Sequence, residues 1–232
     1  MERLFELIEP TKPIIDFYNK LWKGEEVKST KVKLFDNLDE VDIFELISKE
    51  EFEKYHINEE TIKKAKESNK TGIFLKSINN AYSTRINADS GIFEDKFITF
   101  EELEAMADEN KIDEFIVEKC RQKTGRNEYS FATKVFSFMK PDTYPILDSI
   151  SVTLLNQYYA EYCNSTEKNR KKNWGDYKQY VNDYRMILKK LELEVSFKEF
   201  DVFIWTYGTA LSRYWAKIGV LKFESVQYRS NK

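Results

Sequence analysis

GRNEYSFATKVFSFMKPDTYPILDS, residues 125–149, reads as a turn, a helix, a proline-bounded turn and the start of a second helix. Gly125 tolerates positive φ, so it suits the C-terminal cap of a preceding helix over 114–123. Pro141 stops the helix that runs from Ser130 to Met139, because proline has no N–H to donate and disfavours helical backbone just before it. At 100° per residue, Phe131, Ala132, Val135, Phe136, Phe138 and Met139 fill one arc that must face a core. Lys134 falls just outside the arc beside Phe138, while Thr133, Ser137 and Lys140 lie opposite it. Its stem is expected to follow apolar surface and its ammonium to emerge at the boundary, as lysines commonly do. Asp148 stands ahead of the apolar run from Ser149 and has the residue type of an N-cap.

Outward from this segment the chain keeps a helical period. Thr99 with Glu102 and Ser196 with Glu199 have capping-box spacing, so helices are expected to start at 100 and 197. The second is expected to close at Gly208, with a further helix over 210–218. Helices are also read over 13–23, 57–68 with Asn58 as its cap, 149–162 and 174–193. In the last of these Trp174, Tyr177, Tyr180, Val181, Tyr184, Ile187 and Leu188 recur at three and four residues, a stripe that reads as core before it reads as a base-stacking platform. KSTKVKLF at 28–35 alternates polar and apolar residues and fits a short strand whose partner is not evident. With seven glycines and four prolines in 232 residues, the expected class is mainly α, with one short strand element near the N-terminus. Residues 1–70 are read as an N-terminal helical extension and 71–232 as the main helical domain.

Composition removes whole classes of chemistry. A single histidine, His56, excludes a His-rich metal site and any mechanism that needs two imidazoles. Cys120 and Cys163 have neither metal-ligand nor CxxC spacing, so no metal or other cofactor is expected and a cytoplasmic setting is the default. No GxxxxGK[ST], GxGxxG or GxSxG run occurs. No apolar stretch approaches a membrane span. The net charge of −3 divides unevenly: 18 basic and 28 acidic residues in 1–120 give −10, and 19 and 12 in 121–232 give +7. The basic part suits a polyanion, and the acidic part offers a face for a protein partner.

Lysine and carboxylate are therefore the expected actors. An amine attacks carbon only when unprotonated, so Lys134 would need burial to lower its pKa. Asp148, 14 residues on, is held at a helix start and can face that amine. Arg121, Lys123 and Arg126 flank the turn before the helix, and Lys168, Arg170, Lys171 and Lys172 cluster in 164–173. Both groups suit phosphate contacts as well as plain solvation. Asn79, Asn80, Tyr82 and Arg85 are candidates for lining a cleft.

The ordered run Phe131, Ala132, Thr133, Lys134, Phe138, Pro141, Tyr144, Pro145, Ile146, Asp148 and Ser149 resembles the catalytic segment of the helix-hairpin-helix DNA glycosylases. It is most similar to a bacterial group that resembles 8-oxoguanine DNA glycosylases. Weaker similarity lies in INNAYSTRI (78–86) and FDVFIWTYG (200–208), so the resemblance spans about 73–215. It implies an orthogonal multi-helix bundle and excision of a damaged or modified base from DNA. By the same resemblance, Lys134 attacks the sugar C1′ to form a Schiff base, and Asp148 stabilises the cationic sugar and activates the amine. The glycine-rich turn usual before the family's lysine is reduced here to Gly125, nine residues ahead, and the lysine-to-aspartate interval is short. The alternative is a catalytically inactive member of the fold that binds DNA or protein, in defence or a mobile element.

Overall fold

The computed structural model describes residues 7–36, 39–163 and 177–218. Among these the fold is mainly helical, with one two-stranded sheet. The expected starts at 100 and 197 are both present: Thr99 and Ser196 each complete a capping box with the glutamate three residues on, opening α4 (Phe100–Asp108) and α10 (Phe197–Lys217). Before them lie α1 (Lys12–Trp22), α2 (Lys49–Glu67) and α3 (Thr71–Tyr82). Between them α5 (Ile112–Glu114), the π-helical Phe115–Cys120 and α6 (Arg121–Thr124) run on as one rod that ends at Gly125, whose φ is +73°. The motif helix is α7 (Tyr129–Met139), followed by α8 (Ser149–Tyr162) and α9 (Tyr177–Lys190).

The strand read at 28–35 is present as β1 (Lys31–Val32), and its partner is β2 (Val41–Asp42), antiparallel with Lys31 opposite Asp42. Two expected helix boundaries are corrected. The helix read at 57–68 begins at Lys49, because Ser48 and Glu51 form a third capping box; Asn58 lies inside it. No break occurs at Gly208, and α10 runs through it to Lys217. A Cβ on Gly208 would sit 2.3 Å from Cγ2 of Ile150 and 2.8 Å from Cδ1 of Leu154, both on α8. The glycine is thus where two helices touch, not where one ends.

α10 is the central rod, packed against α1 and α8. Residues 7–70 share one apolar core with the rest of the described chain. The Tyr207 hydroxyl donates to the Leu34 carbonyl (2.6 Å) and receives Ile8 N–H (3.3 Å), and Arg213 grips Glu51 with two contacts of 2.6 Å. No helix among the described residues is long and apolar enough to cross a membrane.

Because the branch methyl of Ile150 stands 2.3 Å from where the new Cβ would lie and moves only with χ1, which is stiff in a β-branched residue, Gly208→Ala should lower stability. Overpacking costs about 1–3 kcal/mol, against about 1 kcal/mol gained in helix propensity. Thermal unfolding should show a lower Tm, and an unchanged or raised Tm would refute the close-packing role.

Candidate active site

The site is organised by the irregular backbone between α7 and α8. Pro145, Ile146 and Leu147 are buried and have no β-ladder partner, so their polar groups must be satisfied by side chains. Tyr177 and Tyr180 of α9 donate to the carbonyls of Pro145 and Ile146, each at 2.7 Å. Ile146 N–H donates to Asp201 of α10 (2.9 Å), and Leu147 N–H to the Thr133 hydroxyl of α7 (3.1 Å). The tyrosine stripe of α9 is core along one face, with the hydroxyls of Tyr177 and Tyr180 aimed at this segment and that of Tyr184 at Asp201. Trp174, read as its first member, lies outside the described residues.

Held this way, the segment delivers Asp148 to the start of α8, where it caps the helix by accepting Ser151 N–H at 2.9 Å. Its other oxygen, Oδ2, faces Lys134 Nζ at 3.5 Å. The ammonium also donates to the Ser130 hydroxyl at 2.8 Å and lies over the Tyr82 ring, 5.4 Å from the centroid. The expected boundary position of Lys134 is corrected: the residue is 3% exposed, and Thr133 and Ser137, expected opposite the core, are buried as well. The face that the pattern of α7 leaves polar is covered as well, with Leu147 hydrogen-bonded to Thr133, and Tyr82 of α3 and Asp148 against Lys134. Burial pushes the Lys134 pKa below the ordinary lysine value, while Asp148 and Asp201 pull it back up.

Lys134 and Asp148 share a cavity of about 310 Å³. Trp22, Tyr55, Tyr82 and Trp205 give it aromatic walls, and Lys54, Asn58 and Ser83 add polar groups. Trp22 stacks on Tyr55 with centroids 5.2 Å apart, and Trp205 meets Tyr55 edge-on at 4.7 Å. Burial raises the Tyr82 phenol pKa, and the carboxylates of Glu59, Asp201 and Asp148 raise it further, so it stays a hydrogen-bond donor.

Of the cleft candidates only Tyr82 lines this cavity. Asn79 is engaged in the loop after α3, receiving Thr84 Oγ1 (2.6 Å) and Ile86 N–H (3.1 Å). Asn80 and Arg85 are exposed away from the lining. Arg121, Lys123 and Arg126 are exposed on α6 and the turn after it, with Arg126 paired to Glu128 at 2.8 Å. Lys168, Arg170, Lys171 and Lys172 lie outside the described residues. Among the described residues no group of three or more His, Cys, Asp or Glu side chains is arranged to hold a metal.

Sequence reasoning missed Asp201, which is 3% exposed and accepts from Tyr184 (2.7 Å) as well as from Ile146. Its signal was a lone carboxylate inside the apolar run FDVFIWTYG. It also missed Trp22, Lys54, Tyr55 and Asn58, because they come from α1 and α2, far from the motif in sequence. The chain matches no family model, and no curated protein or solved structure shows significant similarity to it.

Burial pushes the Asp201 carboxyl up to about 7 from its ordinary 3.8, against the pull of Tyr184 and Ile146 N–H. Between these values the folded state binds the extra proton. Stability should therefore be fully gained below about pH 4 and lost as pH rises through 7, over a span on the order of 4 kcal/mol. Chemical denaturation from pH 4 to 8 should show this slope in the native protein and not in Asp201→Asn; parallel profiles would refute it.

Proposed function

We propose that the protein is a DNA glycosylase-like enzyme that removes a damaged or modified base, with Lys134 as nucleophile and Asp148 as its carboxylate partner. The observation that carries this reading is the approach of the buried Lys134 amine to Asp148, at 3.5 Å, in the wall of an aromatic cavity. A lysine of ordinary pKa is almost wholly protonated at neutral pH, and burial here works against that charge. Departure of a base leaves positive charge on the sugar, and a fixed carboxylate in a water-poor site stabilises it without having to reorient. Ring faces of Trp22, Tyr55, Tyr82 and Trp205 suit a base withdrawn from a duplex, because every base has a π-face to stack. Attack of the Lys134 amine on C1′ displaces the base, which leaves with one amine proton; the C1′–O4′ bond then opens, O4′ takes the second proton, and Nζ is left joined to C1′ as a Schiff base. The resemblance of 131–149 to the glycosylase segment adds the same assignment from sequence.

Exposed Arg121 and Lys123 supply cations for DNA phosphates, and binding through them would weaken steeply with salt. One observation favours the non-catalytic alternative: Arg126, at the turn where the family anchors DNA, is engaged with Glu128. A protein that only bound DNA or another protein would need no buried amine.

Duplexes carrying oxidised, deaminated or alkylated bases, treated with borohydride, should yield a covalent adduct mapped to Lys134, together with base release. Lys134→Gln should abolish both while leaving the fold intact, and Asp148→Asn should slow release by about 10²- to 10³-fold. Absence of base release and adduct across the panel, or activity surviving Lys134→Gln, would overturn the reading.

A further inference from the structure

The Lys134 ammonium has three N–H groups to place. Two acceptors for them come from a single residue, Ser130, one turn earlier on α7: its hydroxyl oxygen at 2.8 Å and its carbonyl oxygen at 3.3 Å. Helix geometry explains the reach, since side chains lean toward the N-terminus and residues four apart share a face. The hydroxyl is not spent on starting the helix, because the N-cap of α7 is Glu128. The third polar contact of the amine is Asp148 Oδ2 at 3.5 Å. A hydrogen bond between an ammonium and a carboxylate closes to about 2.7–2.9 Å, so this contact is charge facing charge, and Ser130 has the firmer grip. Asp148 lines the aromatic cavity, and Ser130 is not among the lining residues. The charged and titratable groups that face the amine from other elements are Tyr82 on α3, Asp148 at the start of α8 and Asp201 on α10. Ser130, the contact from α7 itself, does not ionise, so what it contributes is direction.

We propose that Ser130 is a positioning residue for the nucleophile: it holds two N–H groups of Lys134 away from the cavity and leaves the third, toward Asp148, as the one that is given up. The inference rests on Lys134 being the nucleophilic amine. When the third proton passes to Asp148 Oδ2, an N–H bond breaks and an O–H bond forms. Ammonium and carboxylate become amine and carboxylic acid, with no change in net charge. The lone pair is uncovered where that proton stood, on the cavity side. While Ser130 accepts from the other two N–H groups, the amine does not turn its lone pair back into α7. Attack on C1′ needs the lone pair on the line to the carbon, and a misplacement of about 1 Å can cost about 10²-fold in rate. Ser130 acts through Lys134 and not on the sugar.

The full-length protein is treated with cyanoborohydride and one of two aldehydes, formaldehyde or 2-deoxyribose, from pH 5 to 10. Labelling of Lys134 is read by peptide mass spectrometry relative to exposed Lys178. Formaldehyde is small enough to report how much free amine exists, whereas 2-deoxyribose offers the C1 of a sugar and reports how well the amine is aimed. Ser130→Ala removes an acceptor that favours the charged form, so the formaldehyde midpoint should fall to lower pH. In the same variant 2-deoxyribose labelling should drop about 10- to 100-fold although more amine is free. Alanine is the best helix former, so α7 is kept. Ser130→Thr retains the hydroxyl and should restore both readings. A merely structural role would admit water to Lys134, move the formaldehyde midpoint up toward an ordinary lysine and change both aldehydes together. A midpoint that stays or rises in Ser130→Ala, or 2-deoxyribose labelling that keeps pace with formaldehyde, overturns the proposal. No DNA is involved, so the expected labelling in a protein that releases no base would remove the glycosylase reading alone. Base release with labelling unchanged in Ser130→Ala would remove the positioning role alone.

Discussion

Three residues outside regular secondary structure, Pro145 to Leu147, are buried without a strand beside them, and the surrounding helices answer their hydrogen bonds. An unpaired buried peptide group costs about 1–3 kcal/mol. Leaving this segment unsatisfied would therefore consume much of the 5–15 kcal/mol by which a domain is stable. The partners come from three helices: Thr133 from α7, Tyr177 and Tyr180 from α9, and Asp201 from α10. One constraint thus accounts for a buried Thr133 on α7, for tyrosines at 177 and 180 where leucines would pack as well, and for an acid inside an apolar run of α10. It also fixes Asp148, the next residue along, relative to Lys134, since Thr133 and Lys134 are neighbours on the same helix.

The second dependence runs through α10. Its continuity past Gly208 lets one helix carry Asp201 and Trp205 to the site and Arg213 to Glu51, the residue that also closes the capping box of α2. That contact helps place α2, and α2 brings Tyr55 and Asn58 to the cavity, with Trp22 arriving on α1. Breaking α10 into two helices would disconnect the half of the site built by residues before 70 from the half built by the motif. The acidic N-terminal part is in this sense a wall of the cavity as well as a surface.

Local signals were legible where the physics is local. Capping boxes at Thr99 and Ser196, the αL position at Gly125 and the stop at Pro141 depend on residues within a few positions, and each element begins or ends where those residues say. The same rule would have found Ser48 with Glu51. What escaped was set by distant partners. Gly208 reads as a cap until α8 is placed against it, and Lys134 reads as a boundary residue until the 145–147 segment closes over α7. Asn79 reads as a cleft residue until the loop to Ile86 takes up its amide. A helical wheel assigns each side chain to one of two faces, and it fails for a helix that has no solvent face.

The absence of a histidine pair at the site gives the carboxylates a particular importance. An imidazole near pKa 6.5 can take a proton from a neighbour and pass it to solvent at neutral pH. This chain has one histidine, on α2, and it does not line the cavity at the site. An exposed aspartate near 3.9 is too weak a base to hold a proton at pH 7. Burial alters that: the desolvation that makes the Asp201 charge unfavourable raises its affinity for a proton into the range an imidazole would supply. The same enclosure lowers the affinity of Lys134. Desolvation therefore moves the amine and the carboxylate toward each other in pKa, from an ordinary separation of more than six units, because both are buried. Asp201 owes that enclosure to the groups that satisfy the 145–147 segment, since it accepts Ile146 N–H and the hydroxyl of Tyr184 on α9, so for this carboxylate a packing requirement and an acid–base property have one structural cause.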